Sequence, residues 1–351
     1  MTRQLATTVI LMGMILALGV GAELAGERVL ERIATILCIS LVLVLGLQVF
    51  MGNSGILSFA HIGFMGVGAY TSALLTIPAR MKSMALPDLY PALTGLEFSP
   101  IIGILIGGLM AALVAAMVAY PLMRLSDAAA VITSFALLVV LHTIMNNWSV
   151  VTNGPRTLFG LPKATTLTMA VAAAALAIPV VLWFKETRWG LLLRASRDDE
   201  IAAAALGAHI PHLRWGAFVL SALLAGIGGG IWGHFITSFS PKAFYLKETF
   251  VILGMLVIGG PKTVTGAVFG AFVVTFSFEG LRAVEAALNR SQLFAEPVVG
   301  LTEFVLAVAM IAVLSLRPGG LFPTREIGYY VIRKSRRPTP WPDQRVKQEV
   351  P

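Results

Sequence analysis

The chain has 351 residues, of which 57% are hydrophobic and only 13% are charged. Soluble domains carry about 25% charged residues, so most of a water-facing surface is missing. Together with a mean hydropathy of +0.84, this composition predicts a membrane protein. A single cysteine, Cys38, excludes a disulfide-stapled domain. The net charge of +8 does not indicate nucleic-acid binding, because basic and aromatic residues are not interleaved on one face.

Ten apolar runs follow one another along the chain, and each is predicted to be a membrane helix because lipid leaves backbone polar groups no other partner. The runs lie at 5–22, 33–51, 55–78, 99–123, 128–147, 166–184, 215–238, 246–260, 264–281 and 298–316. Several are shorter than the ~20 residues that a perpendicular span needs, so broken or half helices are expected there. The predicted fold class is an all-α polytopic membrane protein with about ten spans.

The first apolar run has two interpretations. Arg3 precedes it and small residues follow at 19–22, which is also typical of a cleaved secretory signal. Its apolar stretch is longer than the usual 7–15 residues of a signal core. A retained first span is therefore favoured.

The basic residues are distributed unevenly between the two sides of the membrane. With ten spans both termini lie on one side, and sixteen of the 26 Lys and Arg residues fall there, mostly in the loop 185–214 and near the C-terminus. Because Lys and Arg collect in cytoplasmic loops, this side is predicted to be cytoplasmic. The chain is divided into a permease domain, 1–322, and a basic, proline-rich cytoplasmic tail, 323–351, whose composition cannot build a core.

Polar residues interrupt the apolar pattern within segment 52–70. Gly63, Gly66 and Gly68 provide a small-residue surface that lets helices approach closely. Packing does not explain the polar groups at the entry of an apolar span, which usually face a cavity or another helix. The candidates for the translocation pathway in this segment are Asn53, Ser54, Ser58, His61 and Tyr70. Taken alone, His61 is also typical of a hydrogen-bonded interior histidine.

A second glycine-rich break, Gly259-Gly260-Pro261, separates the eighth and ninth runs. It ends a helix and frees backbone groups that must be satisfied inside the protein or in a wet cavity. Two such interruptions in corresponding halves of a membrane chain are typical of an internal repeat with the pathway near its interface. The further pathway candidates are Gly259, Gly260 and Thr263, and the helix-packing candidates are Gly266 and Gly270.

A short helix is predicted in the loop 185–214. Asp198, Asp199 and Glu200 stand at its start, where the helix dipole favours anions, and Gly207 ends it before Pro211. An acidic first turn would be repelled by anionic lipid, so this helix suits a groove on a cytoplasmic partner better than the bilayer surface.

Together the three segments resemble the LivM/LivH-type permeases of bacterial ABC importers for branched-chain amino acids, and the match is closer to LivM. Segment 52–70 carries that family's G-xx-G-x-LS-xx-H-xx-FM-xx-GAY pattern at Gly52, Gly55, Leu57, Ser58, His61, Phe64, Met65, Gly68, Ala69 and Tyr70. The later glycine-rich stretch and the closing motif Arg317-Pro318-Gly319-Gly320-Leu321-Phe322 also match, so the resemblance covers about residues 33–322.

The resemblance implies a transport subunit of the bacterial inner membrane rather than an enzyme. Its implied partners are a second, LivH-like permease, two ATPase subunits and a periplasmic substrate-binding protein. Residues of the implied ATPase-coupling loop are Arg194, Ala195, Asp198, Glu200, Ala203 and Gly207. ATP and Mg²⁺ are expected on the partner subunits, because the chain has no G-x-x-x-x-G-K-[ST] stretch. No cofactor, catalytic residue or metal site is expected, since the five histidines lack metal-ligand spacing.

The function, the substrate and the roles of two charged residues stay open at this stage. An ion-coupled secondary transporter of small polar solutes is the alternative function, although only His61 and His142 would be available for coupling in mid-membrane. The substrate is a branched-chain amino acid or, as in some relatives, urea, a short amide or an aromatic acid. Lys262 is either a loop lysine or a contact for a substrate carboxylate, and Glu303 is expected at the outer interface or against another subunit.

Overall fold

The computed structural model describes residues 2–125, 127–290, 300–317, 319–322 and 325–333, and every regular element in these ranges is helical. A single 3-10 turn, Pro241–Phe244, precedes α13. The helices are α1 (Thr2–Ala25), α2 (Arg28–Ser54), α3 (His61–Thr76), α4 (Ala79–Ala85), α5 (Pro91–Thr94), α6 (Pro100–Leu122), α7 (Asp127–Asn147), α8 (Ser149–Thr152), α9 (Leu167–Glu186), α10 (Arg188–Asp198), α11 (Glu200–Ala205), α12 (Ile210–Ile236), α13 (Leu246–Gly259), α14 (Val264–Arg290), α15 (Leu301–Leu316) and α16 (Ile327–Arg333).

The all-α polytopic fold class is confirmed. Among the described residues, seven helices are long and apolar enough to cross a membrane, namely α1, α2, α6, α7, α9, α12 and α14. The third, eighth and tenth predicted runs form the shorter helices α3, α13 and α15, of 16, 14 and 16 residues. The predicted start of the third run at residue 55 is wrong, because Gly55 ends α2 with φ +76° and α3 begins at His61.

Helix α2 lies at the centre of the bundle. Nearly every side chain from Leu37 to Ser54 is buried, as is expected for a helix that is apolar on all sides. It packs against α9, α12 and α14. Helix α10 of the loop 185–214 also contacts α2 near its last turn, so α2 connects the middle of the membrane to the loop.

Glycines bring α3, α6 and α12 into backbone contact. A Cβ atom on Gly68 of α3 would collide with the backbone of Gly226 of α12, and one on Gly107 of α6 would lie 2.5 Å from the carbonyl oxygen of Gly68. Gly63 and Gly66 face the softer side chains of α7, Leu141 and Met145. The structure therefore places all three predicted glycines of this segment against a neighbouring helix.

The residues that follow α15 pack back into the bundle. The amides of Leu321 and Phe322 donate to the carbonyl oxygens of Ile258 and Gly259 at 3.0 and 2.9 Å. Helix α16 packs on α1, where the amide of Gly328 donates to Thr7 Oγ1 at 3.2 Å. Residues 325–333, which the sequence analysis assigns to the tail, thus contact the bundle, and the division at 322/323 stays a prediction. Residues 323, 324 and 334–351 of the predicted tail lie outside the described residues.

Candidate coupling and translocation site

The loop 185–214, the coupling loop, folds into two short capped helices. Thr187 caps α10 by accepting from the amide of Gly190 at 3.3 Å, and Asp199 caps α11 by accepting from the amide of Ala202 at 2.9 Å. The sequence predicts a helix start at Asp198, but Asp198 is the last residue of α10. The reason is the extended backbone of Asp199, with φ −154° and ψ 110°, which breaks the helix in two.

Three of the six coupling-loop residues named from sequence, Arg194, Glu200 and Ala203, hold the loop onto the bundle. Arg194 Nη2 donates to the carbonyl oxygen of Lys185 at 2.9 Å, and Glu200 pairs with the buried Arg214 at 2.8 Å. Ala203 is buried, and the carbonyl oxygen of Ala195 accepts from the amide of Asp199. Gly207 follows α11 with φ +85°.

Two exposed apolar side chains, Ile201 on α11 and Leu206 directly after it, were not singled out by the sequence analysis. Ile201 is 85% exposed and Leu206 is 80% exposed. They stand at the two ends of the alanine run. Two large apolar residues that flank a run of alanines in a polar loop were the sequence signal that could have identified this surface. A small apolar surface is thus presented on a helix whose other side is fixed to the protein.

Arg197 connects the coupling loop to the first break, residues 52–60. Its Nη1 donates to the carbonyl oxygen of Gly52 at 2.8 Å, and its side chain lies over Gly55, where a Cβ atom would come within 2.6 Å of Arg197 Cγ. Gly52 in turn touches the carbonyl oxygen of Pro261, to which Gln48 Nε2 donates at 3.5 Å. The two breaks therefore meet at one end of the bundle, directly beneath the coupling loop.

The second break, residues 259–263, is closed by the motif that follows α15. Thr263 Oγ1 donates to the carbonyl oxygen of Phe322 at 2.7 Å and accepts from the amide of Gly266 at 3.0 Å. Gly260 has φ +118° and lies against the backbone of residues 319–322. The freed backbone groups are thus satisfied inside the protein, and Gly259, Gly260 and Thr263 lie in a packed corner.

A buried ion pair fastens the same corner. Lys185 Nζ lies 2.5 Å from Glu326 Oε1 and also donates to the carbonyl oxygen of Lys262 at 3.1 Å. Glu326 caps α14 by accepting from the amides of Val264 and Thr265, both at 2.9 Å. Burial opposes ionisation of Glu326, but the Lys185 ammonium and the Thr265 hydrogen bonds outweigh it and hold the pKa of Glu326 below its ordinary value. The Lys262 side chain is exposed, as expected for a loop lysine.

The polar residues of segment 52–70 lie in the interior of the bundle. Ser221 Oγ donates its hydrogen to the carbonyl oxygen of Gly46, so the hydrogen shared between Ser221 and His61 must sit on His61 Nε2. Within the described residues, four of these side chains keep a buried polar atom without a partner, namely Asn53 Oδ1, Ser58 Oγ, His61 Nδ1 and Tyr70 Oη. Ser54 differs, because its hydroxyl donates to the carbonyl oxygen of Phe50 at 2.8 Å. Unpaired buried polar atoms require an explanation, such as internal water or a passing solute.

A cleft of about 480 Å³ opens at the opposite end of the bundle, between α2, α3, α12, α13, α14 and α15. None of the eight pathway candidates named from sequence lines it. Glu303 lies at its edge and pairs with Lys247 at 2.7 Å, both side chains being partly exposed. The expected position of Glu303 at the outer interface or against another subunit stays a prediction. The described residues contain no group of three or more His, Cys, Asp or Glu that could hold a metal ion.

Comparison with known proteins identifies relatives along most of the chain. Residues 29–314 match the family described as branched-chain amino acid transport system, permease component. The LivM permeases of high-affinity branched-chain amino acid transport systems are similar to this chain. The LivM permease of Escherichia coli K12 is 26% identical over 302 residues, an alignment that covers 76% of this chain and 67% of the LivM chain. That of Salmonella typhimurium LT2 is 25% identical, covering 71% and 63%. A nucleoside ABC transporter permease of Lactococcus lactis, NupC, is 25% identical, covering 60% and 69%. The chain thus spans about two thirds of the length of these relatives, and no solved structure matches it.

Proposed function

The chain belongs to the family of permease components of branched-chain amino acid transport systems, and from this premise we propose that it carries an amino acid with an apolar side chain across the bacterial inner membrane. It does so within an ABC importer, together with a second, LivH-like permease, two ATPase subunits and a periplasmic binding protein. ATP and Mg²⁺ bind to the ATPase subunits, and this chain converts their closure into movement of its helices.

The observation that carries the proposal is the exposed pair formed by Ile201 on the fixed helix α11 and Leu206, the residue that follows it. A short apolar face on a rigid support is suited to insertion into a groove on another protein. The support is provided from behind by the pair Glu200–Arg214 and by the buried Ala203. A force applied to this face by an ATPase subunit would reach the bundle without being lost in a flexible loop.

The positions of basic residues also support an assignment of one end of the bundle to the cytoplasmic side of the membrane. The end of the bundle that carries the coupling loop gathers Lys185, Arg194, Arg197, Arg214 and Lys262. The bond between Gly328 and Thr7 brings α1 and α16 together. Because Lys and Arg collect on the cytoplasmic side, we assign this end, and with it both termini, to the cytoplasm.

Ile201→Asp tests the proposal in the assembled importer. The variant should insert normally, because Ile201 is 85% exposed, but co-purification of the ATPase subunits and ATP-dependent leucine uptake should each fall at least tenfold. Leu24→Asp is the matched control, since Leu24 is 82% exposed but lies at the other end of the bundle.

Two results would contradict the proposal. One is undiminished ATPase association and uptake in Ile201→Asp. The other is leucine uptake that continues without ATP and stops when an ionophore collapses the ion gradients, which is the behaviour of an ion-coupled carrier.

A further inference from the structure

The cleft at the outer end of the bundle, opposite the coupling loop, combines an apolar wall with a charged rim. The wall is formed by buried side chains of α2, α3 and α13, among them Ile39, Leu43, Met65, Ile252 and Met255. Its volume of about 480 Å³ falls in the range of about 300–1,000 Å³ that is usual for small-molecule sites. The cleft can therefore accept a small molecule with an apolar body.

One polar atom deep in the cleft has no partner. Thr275 lines the cleft, its side chain belongs to a residue that is only 4% exposed, and its Oγ1 makes no hydrogen bond in the described part of the chain. A buried hydroxyl of this kind is unfavourable unless something binds it. Thr275 thus marks a place where a polar group of a ligand would be accepted.

The charge of the cleft favours a cation. Four carboxylates line it, those of Glu248, Glu279, Glu285 and Glu303, against two basic side chains, Lys247 and Arg282. Lys247 is already paired with Glu303, and Glu285 accepts from Thr302 at 3.1 Å. Glu248, by contrast, makes no side-chain hydrogen bond or close ion pair with any described residue, although the charge of the neighbouring Lys247 acts on it. A half-buried carboxylate without such a partner is suited to receive a positively charged group.

The face of α14 explains how these groups reach one cleft. Thr275, Glu279 and Arg282 are four and three residues apart, so they lie on the same side of the helix. The hydroxyl lies deepest, and the charged groups follow toward the rim. Glu248 comes from the first turn of α13 and lines the same cleft.

We propose that this outer cleft is a substrate-admission site that recognises a primary ammonium group attached to an apolar body, with Glu248 and Thr275 as its polar contacts. The inference rests on the proposed import function and adds to it. It selects amine-bearing substrates, such as amino acids, over urea, amides and plain carboxylic acids. The apolar side chain of the substrate lies against the wall of Ile39, Leu43 and Met255.

A cysteine reporter tests recognition without requiring transport. Ser40 lines the cleft and is partly exposed, whereas the native Cys38, two residues earlier on α2, is buried. In the assembled importer with its outer face accessible, Ser40→Cys should react with a membrane-impermeant methanethiosulfonate reagent, and the unmodified protein should not. Leucine and isopentylamine should each slow the reaction at least fivefold, whereas 4-methylpentanoic acid, which lacks the amine, should not.

Glu248→Gln tests whether Glu248 binds the ammonium group of the substrate. In the Ser40→Cys background it should abolish protection by isopentylamine, and in the importer it should lower leucine uptake at least tenfold while ATPase association stays normal. Thr275→Val should reduce protection several-fold. Glu27→Gln, an exposed glutamate outside the cleft, should behave like the unmodified protein.

The inference is overturned if Ser40→Cys is not labelled from outside, if 4-methylpentanoic acid protects as well as leucine, or if Glu248→Gln leaves protection intact. Failure of the proposed function has a different signature, because protection needs neither ATP nor uptake. If Ile201→Asp leaves ATPase association and uptake unchanged, the coupling role is refuted. The protection experiment can still be interpreted in that case.

Discussion

The guanidinium of Arg197 donates a hydrogen bond of 2.8 Å to the backbone carbonyl oxygen of Gly52, across 145 residues of chain. Gly52 lies at the end of α2 and touches Pro261 in the second break. If the loop 185–214 couples to an ATPase subunit as proposed, a movement of the loop would be transmitted to the ends of α2 and α13 at the same time. Arg197 would then act as a positioning residue, because it acts through the backbone and not on the substrate.

Replacing this arginine should uncouple the importer without dismantling it. Arg197→Met keeps an unbranched side chain over Gly55 but removes the donor to Gly52, so we expect normal association with the ATPase subunits and a loss of leucine uptake of roughly tenfold. The readout is the ratio of leucine transported to ATP hydrolysed. Arg188→Met is the control, since Arg188 is an exposed arginine of the same helix. If the ratio of leucine transported to ATP hydrolysed is unchanged in Arg197→Met, the hydrogen bond between Arg197 and Gly52 has no role in coupling.

Reversing the charge of Glu200 should disturb folding and coupling together. Its partner Arg214 has a side chain only 5% exposed, so Glu200→Lys would place a second cation beside a buried guanidinium. Glu200 itself is 46% exposed, and solvent moderates the cost to about 1–3 kcal/mol. The expected results are a lower yield of folded protein and a lower unfolding temperature in detergent. The double variant Glu200→Arg, Arg214→Glu should recover part of both, and no recovery would argue against a specific pair.

The stability of the second break should depend on pH through Glu326. Its pKa in the folded protein lies below its ordinary value of 4.5, so its contribution is complete above about pH 4.5 and is lost as the pH falls through the lowered pKa. Glu326→Gln should reduce the unfolding free energy at pH 7 by about 3 kcal/mol, because it leaves Lys185 buried without a counter-charge.

Thermal unfolding at pH 7 and at acidic pH measures this effect. The difference between Glu326→Gln and the unmodified protein should shrink as the pH falls. Glu23→Gln, an exposed glutamate on α1, should have no effect at either pH. A difference that is constant over the whole pH range would exclude ionised Glu326 as its cause.

The glycines of α3 should differ in their tolerance of a methyl group. Gly68→Ala forces the backbones of α3 and α12 apart, because the added Cβ would meet the backbone of Gly226. Gly63→Ala meets only the side chain of Leu141, 2.7 Å from its Cδ1, which can rotate. We expect little folded Gly68→Ala protein in membranes and near-normal amounts of Gly63→Ala. Equal yields would mean that the helices separate at low cost.

Local signals in the sequence were sufficient for the fold class and for the two breaks. Gly55 and Gly259-Gly260 end helices as their conformational freedom predicts, and Asp199 caps a helix within the predicted coupling loop. These features depend on neighbours within a few residues. The predicted internal repeat stays a prediction, although its two breaks do lie together at one end of the bundle.

The remaining features depend on residues far apart in the chain. Glu326 contacts Thr265 and Lys185, which are 61 and 141 residues away in the sequence. The residues next to Glu326 in the sequence do not predict these contacts. The outer cleft requires the rotation of α2, α13 and α14 about their axes, which an almost uniformly apolar helix does not reveal. For the same reason the pathway candidates were chosen from the glycine-rich breaks, and none of them lines the cleft.

The bond between Gly328 and Thr7 joins residues 321 positions apart, and it has a consequence for how the protein is made. Helix α16 is synthesised long after α1, so α1 lacks this neighbour until residues 327–333 have left the ribosome. An early stop before α16, or a change that displaces α16, would therefore leave α1 without one of its packing partners in the finished bundle.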